Sequence, residues 1–238
     1  MFKKNRIIIF ITPFLISLTL TGCFSHNIGN KFNDPLNAYL KVFVTSSGDF
    51  GDFTAFKTTY NVECGSLSGI DAANCICSEF AKSSIENIYS GREYRAWLST
   101  TTIDARCNIL GQDSNADDCG ITLVDGDGYG PWLKVGTYQT IFSSYNDVIG
   151  YSLKNNLDND ENGNTVGVAP FIVWTGTGSD GKLSSGGSTD TCGDWTIGVG
   201  GPSGLVGNVA FTGSTWTDNT INGCANSARI YCFEQPDL

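Results

Sequence analysis

Hydrophobic and polar residues alternate along "YLKVFVTSS", from Tyr39 to Ser47. Leu40, Val42 and Val44 therefore fall on one face of an extended chain. A period of two is typical of a strand, and we expect this segment to be the first strand of the folded body. Three later segments, "EYRAWLST", "FIVWTGT" and "RIYCFEQ", also have the composition of strands.

The hydrophobic spacing changes to three and four residues in "GIDAANCICSEFAKSSIENIYSG". This spacing predicts a helix with an apolar face, formed by Ile70, Ala73, Cys77, Phe80, Ala81, Ile85 and Ile88. Cys77 lies on that face. Cys75 lies two residues earlier, ~200° around the helix, so the two cysteines require different partners.

Two stretches are rich in turn residues and are expected to be irregular. The first, "GDFGDFTAFKTTYNVECGSLSG", precedes the helix. The second runs from "GTGSDG" to "WTDN" and contains many Gly, Ser and Thr residues. A long irregular region inside a domain is usually functional or cross-linked, and Cys192 and Cys224 are placed to cross-link this one.

The amino terminus indicates export. Lys3, Lys4 and Arg6 precede a short apolar run that ends in "LTGC", Leu20 to Cys23. This matches a bacterial lipoprotein signal, so we expect residues 1–22 to be a signal peptide and Cys23 to carry a diacylglyceryl anchor. An ordinary secretion signal with a chance cysteine is the alternative. Since no Asp follows Cys23, the outer membrane is favoured.

Residues 23–38 have the composition of a polar tether, and residues 39–238 are expected to form one domain. The only histidine, His26, lies in the tether. This excludes chemistry that needs a histidine base or a histidine metal ligand in the folded body.

The charge of the chain is strongly negative, with 14 basic and 24 acidic residues and a formal net charge of −10. Removing the signal peptide makes the mature chain more negative still. This argues against nucleic acid and anionic glycans as partners, and favours cations or basic protein surfaces. Of nine cysteines, eight remain besides Cys23, and an even number in an exported chain predicts four disulfides.

Several of these features occur together in a known family. In chain order they are "AWLS" (Ala96–Ser99), "VWTGT" (Val173–Thr177), Cys192 with Trp195, "STWT" (Ser214–Thr217), Cys224 and "YCFEQ" (Tyr231–Gln235). As an ordered set they resemble the endostatin-like domain of bacterial surface lipoproteins, best known as the leptospiral endostatin-like proteins. That domain is related to the C-type lectin-like fold. The resemblance extends from about Tyr39 to Gln235.

The resemblance implies an α+β, C-type lectin-like/endostatin-like domain: mixed antiparallel sheets, one or two flanking helices, and long disulfide-stapled loops. It implies the pairs Cys77–Cys232 and Cys192–Cys224, and it suggests Cys107–Cys119. Cys64 is then left with Cys75. The related proteins imply partners among host matrix proteins such as laminin and fibronectin, plasminogen, and complement regulators such as factor H.

The stretch "LDNDENGNTVG" resembles the opening of a calcium loop. Asp158, Asp160 and Asn162 supply oxygens ahead of Gly163, but Ala169 occupies the position where an EF-hand loop has its glutamate. We expect a surface turn with at most weak Ca²⁺ binding, and no other cofactor.

A calcium-dependent sugar site is disfavoured. The triplet that lectins of this fold use before the fourth cysteine is Trp216-Thr217-Asp218 here, with a hydroxyl in place of an amide, and "QPD" (Gln235–Asp237) follows the last cysteine. Trp174, Trp195 and Trp216 are expected in the core, and Trp132 is expected at the surface, where it could stack on a sugar.

No sequence pattern of a nucleophilic, metallohydrolase or P-loop enzyme is present, so no catalytic activity is expected. The residues favour an anchored, disulfide-stapled, acidic display domain, and the resemblance implies that this surface lipoprotein binds host proteins. A carbohydrate-binding envelope module and a structural envelope lipoprotein without a ligand are the alternatives.

Overall fold

The computed structural model describes residues 39–60, 62–121, 129–167 and 171–237. Within these ranges the chain is a mixed α+β protein with one mostly antiparallel sheet. Its strands are β1 (Leu40–Val44), β2 (Tyr94–Ala96), β3 (Trp132–Lys134), β4 (Thr140–Phe142), β5 (Ile172–Trp174), β6 (Ser203–Asn208), β7 (Thr220–Gly223) and β8 (Arg229–Glu234). The right-handed α-helices are α1 (Phe53–Thr59), α2 (Gly69–Ser83), α3 (Ala105–Asn108) and α4 (Tyr145–Ile149), and two short 3-10 helices span Gly187–Asp190 and Ser214–Trp216.

Strand β8 lies at the centre of the sheet, whose main order is β4-β3-β1-β8-β5-β6-β7. On one edge it pairs antiparallel with β1, with Val42 opposite Phe233 and Val44 opposite Tyr231. On its other edge it pairs with β2 antiparallel and with β5 parallel. Because β1 and β8 come from opposite ends of the described chain, their pairing closes the domain.

The central strands of the sheet are buried on both faces. Phe43 and Ile230 belong to one apolar cluster, which also contains the buried side of α2. Val42, Val44 and Tyr231 belong to a second cluster on the opposite face. The predicted first strand is therefore confirmed, and both of its faces are buried, including its intervening Lys41.

The predicted long helix is confirmed as α2, but it is shorter than the periodicity indicated. It ends at Ser83, and the backbone of Ser84 is extended, with φ −62° and ψ 134°. The hydroxyl of Ser84 donates to the backbone carbonyl of Glu161. Because the chain turns away at this contact, Ile85 is 80% exposed and is not part of the apolar face.

The stretch predicted as a loop before α2 contains helix α1, so that prediction is wrong. Asp52 caps α1, since its carboxylate accepts hydrogen bonds from the N–H groups of Thr54 and Ala55 at 2.9 and 3.3 Å. Phe53 and Phe56, three residues apart, are fully buried. Two aromatic residues are enough to dock a helix of two turns among turn-forming neighbours.

Four disulfides cross-link the described residues: Cys64–Cys75, Cys77–Cys232, Cys107–Cys119 and Cys192–Cys224. These are the same pairs that the family resemblance implies. Cys77 joins the buried face of α2 to β8, and each bridge is expected to stabilise the fold by about 2–4 kcal/mol. Cys23 lies outside the described residues.

Three of the four tryptophan positions are predicted correctly. Trp174, Trp195 and Trp216 are fully buried, as expected for core residues. Trp132 is also fully buried, so the expected surface position is wrong. It lies in β3 beside β1, and its indole N–H donates to the carbonyl of Glu234 at 3.0 Å. It offers no surface for stacking on a sugar.

Candidate functional site

The acidic stretch that resembles a calcium loop is a turn whose acidic centre is buried. Asn159, Asp160 and Glu161 are only 1%, 8% and 4% exposed. The carbonyl of Asn159 accepts a hydrogen bond from Val44 N at 2.9 Å, which fixes the loop against β1. The surface position expected for this loop is therefore wrong, because it packs on the end of the central sheet.

The side chains of this loop do not converge on a common point. Asp158 Oδ1 lies 2.9 Å from Lys134 Nζ. Asp160 Oδ1 accepts hydrogen bonds from two backbone N–H groups of its own loop, those of Asn162 and Asn164, each at 2.9 Å. The candidate metal ligands Asp158 and Asp160 thus serve separate partners.

Asn162, the third candidate ligand, is also engaged elsewhere, because its Oδ1 accepts from Ile85 N at 3.0 Å. Glu161 Oε2 accepts from Ser46 N at 2.9 Å. In the ranges that the structure describes, no group of three or more His, Cys, Asp or Glu residues is placed to hold a metal ion. The oxygens of the loop connect the end of α2 to the end of β1. The spacing of residues within the loop does not predict these contacts.

Arg229 supplies a positive charge beside this loop. It is 6% exposed, and its Nη1 donates to the carbonyl of Thr45 at 2.7 Å and to that of Ser46. Burial lowers the pKa of Arg229, whereas the charges of Asp160 and Glu161 raise it. Burial also raises the pKa of Glu161, and its hydrogen bond with Ser46 opposes that rise. A guanidinium therefore lies close enough to the acidic loop for the charges of Asp160 and Glu161 to act on it.

The lectin-type triplet is used for packing. Thr217 is 1% exposed, and its hydroxyl accepts from Trp97 Nε1 at 2.7 Å and donates to the carbonyl of Thr177 at 3.3 Å. Asp218 is exposed beside it. The carboxylate of Asp237, from "QPD", forms an ion pair with Arg92 at 2.6 Å. Thr217 and Asp237 thus contact different partners.

A left-handed turn at Cys192–Trp195 was not foreseen from the sequence. The φ angles of Cys192, Asp194 and Trp195 are 49°, 53° and 67°, and that of Gly193 is 61°. Left-handed backbone costs roughly 1–2 kcal/mol for each residue with a Cβ, so tertiary contacts must hold it. Asp194 provides one of them, because its carboxylate accepts from Thr101 N at 3.0 Å and from Thr101 Oγ1 at 2.6 Å.

The basic side chains of the described residues are all engaged within the chain. Every Lys and Arg side chain there contacts a carboxylate or a backbone carbonyl: Lys41, Lys57, Lys82, Arg92, Arg95, Arg106, Lys134, Lys154, Lys182 and Arg229. In contrast, several exposed carboxylates form no ion pair with another described residue: Glu63, Asp71, Glu86, Asp113, Asp118, Asp180 and Asp218. The described surface therefore carries more exposed negative than positive charge.

A groove of about 320 Å³ runs between α2 and β2, and we call it the α2–β2 groove. One wall is a stripe of α2 side chains, and the other is formed by β2 and the residues before it. Its lining includes Leu67, Asp71, Ser78, Glu79, Lys82, Tyr89, Glu93 and Arg95. Exposed carboxylates and an aromatic ring occur together in this groove.

Comparison with known proteins does not identify the chain: no protein-family model and no curated protein matches it. Among the described helices, none has the length and apolar composition to cross a membrane.

Proposed function

We propose that this protein is a surface-exposed outer-membrane lipoprotein whose endostatin-like, C-type lectin-like domain binds host extracellular-matrix proteins or complement regulators. In this proposal residues 1–22 are removed, Cys23 carries the lipid, and residues 23–38 hold the domain away from the membrane. The role is one of binding, not catalysis.

The observation that carries the proposal is the distribution of charge on a heavily cross-linked body. The basic side chains of the described residues are engaged internally, while exposed carboxylates such as Asp71 and Asp113 form no ion pair with a described residue. Such a surface attracts basic patches on other proteins and raises the rate of encounter with them. Matrix and complement proteins are the partners that the family resemblance implies.

The four disulfides support display outside the cytoplasm. Disulfides form and persist in oxidising compartments, and they keep a loop-rich domain folded there. Acylation of Cys23 would anchor such a body, since each buried methylene contributes ~0.8 kcal/mol.

A test of display compares wild type with Cys23→Ala in cells. Wild type should incorporate palmitate, remain with the outer membrane, and be cleaved by protease added to intact cells. The alanine variant should lose palmitate and leave the membrane fraction. Equal membrane retention of both proteins would contradict the anchor, and complete protection of wild type from protease would contradict surface exposure.

A test of binding applies the purified domain to immobilised laminin, fibronectin, plasminogen and factor H. Saturable binding to at least one of them is expected. A hit on a glycan array without any protein binding would favour the carbohydrate-binding alternative. No ligand in either assay would favour a structural role in the envelope.

A further inference from the structure

We propose that strand β7 is a self-association edge, at which a second copy of this chain adds its own β7 antiparallel and joins the two sheets into one. Such self-association needs no host ligand. It is supported by the open edge of β7, by the near absence of charge around that edge, and by the twofold symmetry that its hydrogen-bonding groups permit.

The edge of the sheet at β2 is covered by the chain itself. The N–H of Tyr94 donates to Ser78 Oγ at 3.0 Å, and the N–H of Ala96 donates to Asn74 Oδ1 at 2.9 Å. Because helix α2 supplies these acceptors, no further strand can pair with these N–H groups of β2.

The edge of the sheet at β4 is covered as well. The carbonyl of Ile141 accepts from Lys154 N at 2.9 Å, and the carbonyl of Thr140 accepts from Asn155 Nδ2 at 2.9 Å. The segment after α4 thus occupies the acceptors of this strand. Covering an edge in this way prevents unwanted strand pairing.

Strand β7, at the opposite end of the sheet, has an open outer edge. It pairs with β6 so that Leu205 lies opposite Ile221, and the N–H of Cys224 donates to the carbonyl of Pro202 at 3.0 Å. Bonded and non-bonded pairs alternate along an antiparallel ladder, so Ile221 is in a non-bonded pair and its N–H and C=O point away from β6. No side chain or loop in the described ranges bonds to these two groups.

The sequence of β7 has none of the residues that protect an exposed edge. It reads Thr-Ile-Asn-Gly, without lysine, proline or any charge. Ile221, in the strand, is 50% exposed. An open edge that carries an exposed apolar side chain is a template for another strand.

The surroundings of β7 identify a second copy as the occupant. Asp218 is the only charged residue between Trp195 and Ala228, and Val199 and Phe211, in the loops on either side of β6, are 66% and 49% exposed. The whole chain has a formal net charge of −10, so two copies repel each other where their carboxylates meet. The β6–β7 hairpin avoids that repulsion, and it offers little to a basic partner.

The edge is also complementary to itself. In an antiparallel pair centred on Ile221, each copy donates its Ile221 N–H to the Ile221 C=O of the other, so each contact occurs twice. Asp218 precedes Ile221 by three residues, which separates the two Asp218 residues by about six residues, or roughly 20 Å. That distance exceeds the Debye length of ~8 Å at physiological salt. The disulfide Cys192–Cys224 holds the end of β7 in place before association.

The test is sedimentation velocity of the mature chain carrying Cys23→Ser, from about 5 μM to about 500 μM, because a contact smaller than a standard interface is weak. Ile221→Lys places a charge on the edge. Ile221→Pro removes only the outward N–H, a change that edge strands tolerate. Ile85→Lys is the matched control, since Ile85 is also an exposed isoleucine and lies outside the hairpin.

The mass of wild type should rise from monomer towards dimer with concentration. Ile221→Lys and Ile221→Pro should each raise the dissociation constant by at least about tenfold, and Ile85→Lys by less than about twofold. Thermal melts establish that each variant is folded. A wild type that stays monomeric at every concentration, or equal weakening by Ile221→Lys and Ile85→Lys, would overturn the proposal.

Hydrogen exchange, followed residue by residue by NMR, locates the contact. The N–H groups of Ile221 and Gly223 should be protected only at high concentration, whereas those of Asn222 and Cys224, which face β6, should be protected at both. If a host protein protects the outward groups while the chain alone stays monomeric, the edge serves a host strand and the second-copy assignment is wrong.

Salt separates self-association from the proposed binding of host proteins. Binding through exposed carboxylates should weaken as salt rises, whereas the dimer should persist or strengthen, because salt screens the repulsion between two acidic copies. A dimer that dissociates as salt rises would contradict an uncharged contact. A dimer that binds no host protein leaves self-association standing while the proposed function fails, and a monomer that binds laminin gives the reverse result.

Discussion

Asn74 accepts a hydrogen bond from the backbone N–H of Ala96 at 2.9 Å, and so joins helix α2 to the edge of strand β2. Ser78, four residues later, makes the equivalent contact with Tyr94. Four helical residues advance ~6 Å and two strand residues advance ~6.7 Å, so the two spacings match. Two side chains of α2 thereby replace a neighbouring strand and protect an edge that would otherwise be open to aggregation.

Replacing Asn74 by alanine should destabilise the fold by about 2–3 kcal/mol, because the buried N–H of Ala96 loses its acceptor. Asn108, whose side-chain amide donates to Asn74 Oδ1 at 2.9 Å, would lose the same acceptor. Urea unfolding of Asn74→Ala checks this, with Ser83→Ala at the exposed end of α2 as the control. A loss no greater than that of the control would show that the contact does not stabilise the sheet edge.

The acidic loop should stabilise the protein without calcium. Asp160→Ala should lower the melting temperature equally in calcium and in EDTA, because two backbone N–H groups lose their acceptor. Asp160→Asn should lower it less, since an amide oxygen still accepts. Calorimetric titration should detect at most weak calcium binding. A wild-type melting temperature that falls in EDTA, together with calcium binding below ~10 μM, would establish a metal site.

Glu161 should make the protein more stable as the pH falls. Burial raises its folded-state pKa above the ordinary value of 4.5, so the folded protein binds this proton more readily than the unfolded chain. The stabilisation appears as the pH falls through the raised pKa and is complete below the ordinary value. The stability of wild type relative to Glu161→Gln should therefore be greater at about pH 4 than at about pH 7. If the free energies of unfolding of wild type and Glu161→Gln in urea changed in parallel with pH, the prediction would be contradicted.

Lys57 should hold the loop that leads into α2. It is 8% exposed, and its ammonium group donates to the carbonyl of Gly65 at 2.7 Å and to that of Leu67. Lys57→Met keeps the length of the side chain and removes both donors, at an expected cost of about 1–3 kcal/mol. Hydrogen exchange should accelerate at Cys64 and Leu67, whose N–H groups are bonded within this loop. Lys82→Met, at an exposed position of α2, should leave that exchange unchanged.

The sequence predicts the elements whose periodicity is strong and misses those that tertiary contacts impose. Leu40, Val42 and Val44 identify β1, and the spacing around Cys77 identifies α2. Helix α1 was missed because only Phe53 and Phe56 mark it among turn residues. The left-handed turn at Cys192–Trp195 depends on a disulfide and on the distant Thr101, so local propensity argues against it.

The candidate sites also depend on tertiary contacts that the sequence does not reveal. The spacing of Asp158 and Asp160 indicates a cation, but the positive charges beside this loop are Lys134, which pairs with Asp158, and Arg229, and both become adjacent only after folding. The α2–β2 groove has no sequence signature either. Asp71 and Glu79 fall on one stripe of a helix, and Tyr89 reaches them only because β2 docks beside α2.

The most direct test of the proposed function is a binding titration of the mature, unlipidated chain against laminin, fibronectin and factor H at two salt concentrations. The proposal predicts saturable binding to at least one of them. It also predicts weaker binding at the higher salt, where the Debye length falls below ~10 Å and the exposed carboxylates are screened. No saturable binding to any of the three at either salt concentration, with a clear signal on a glycan array, would contradict the proposal.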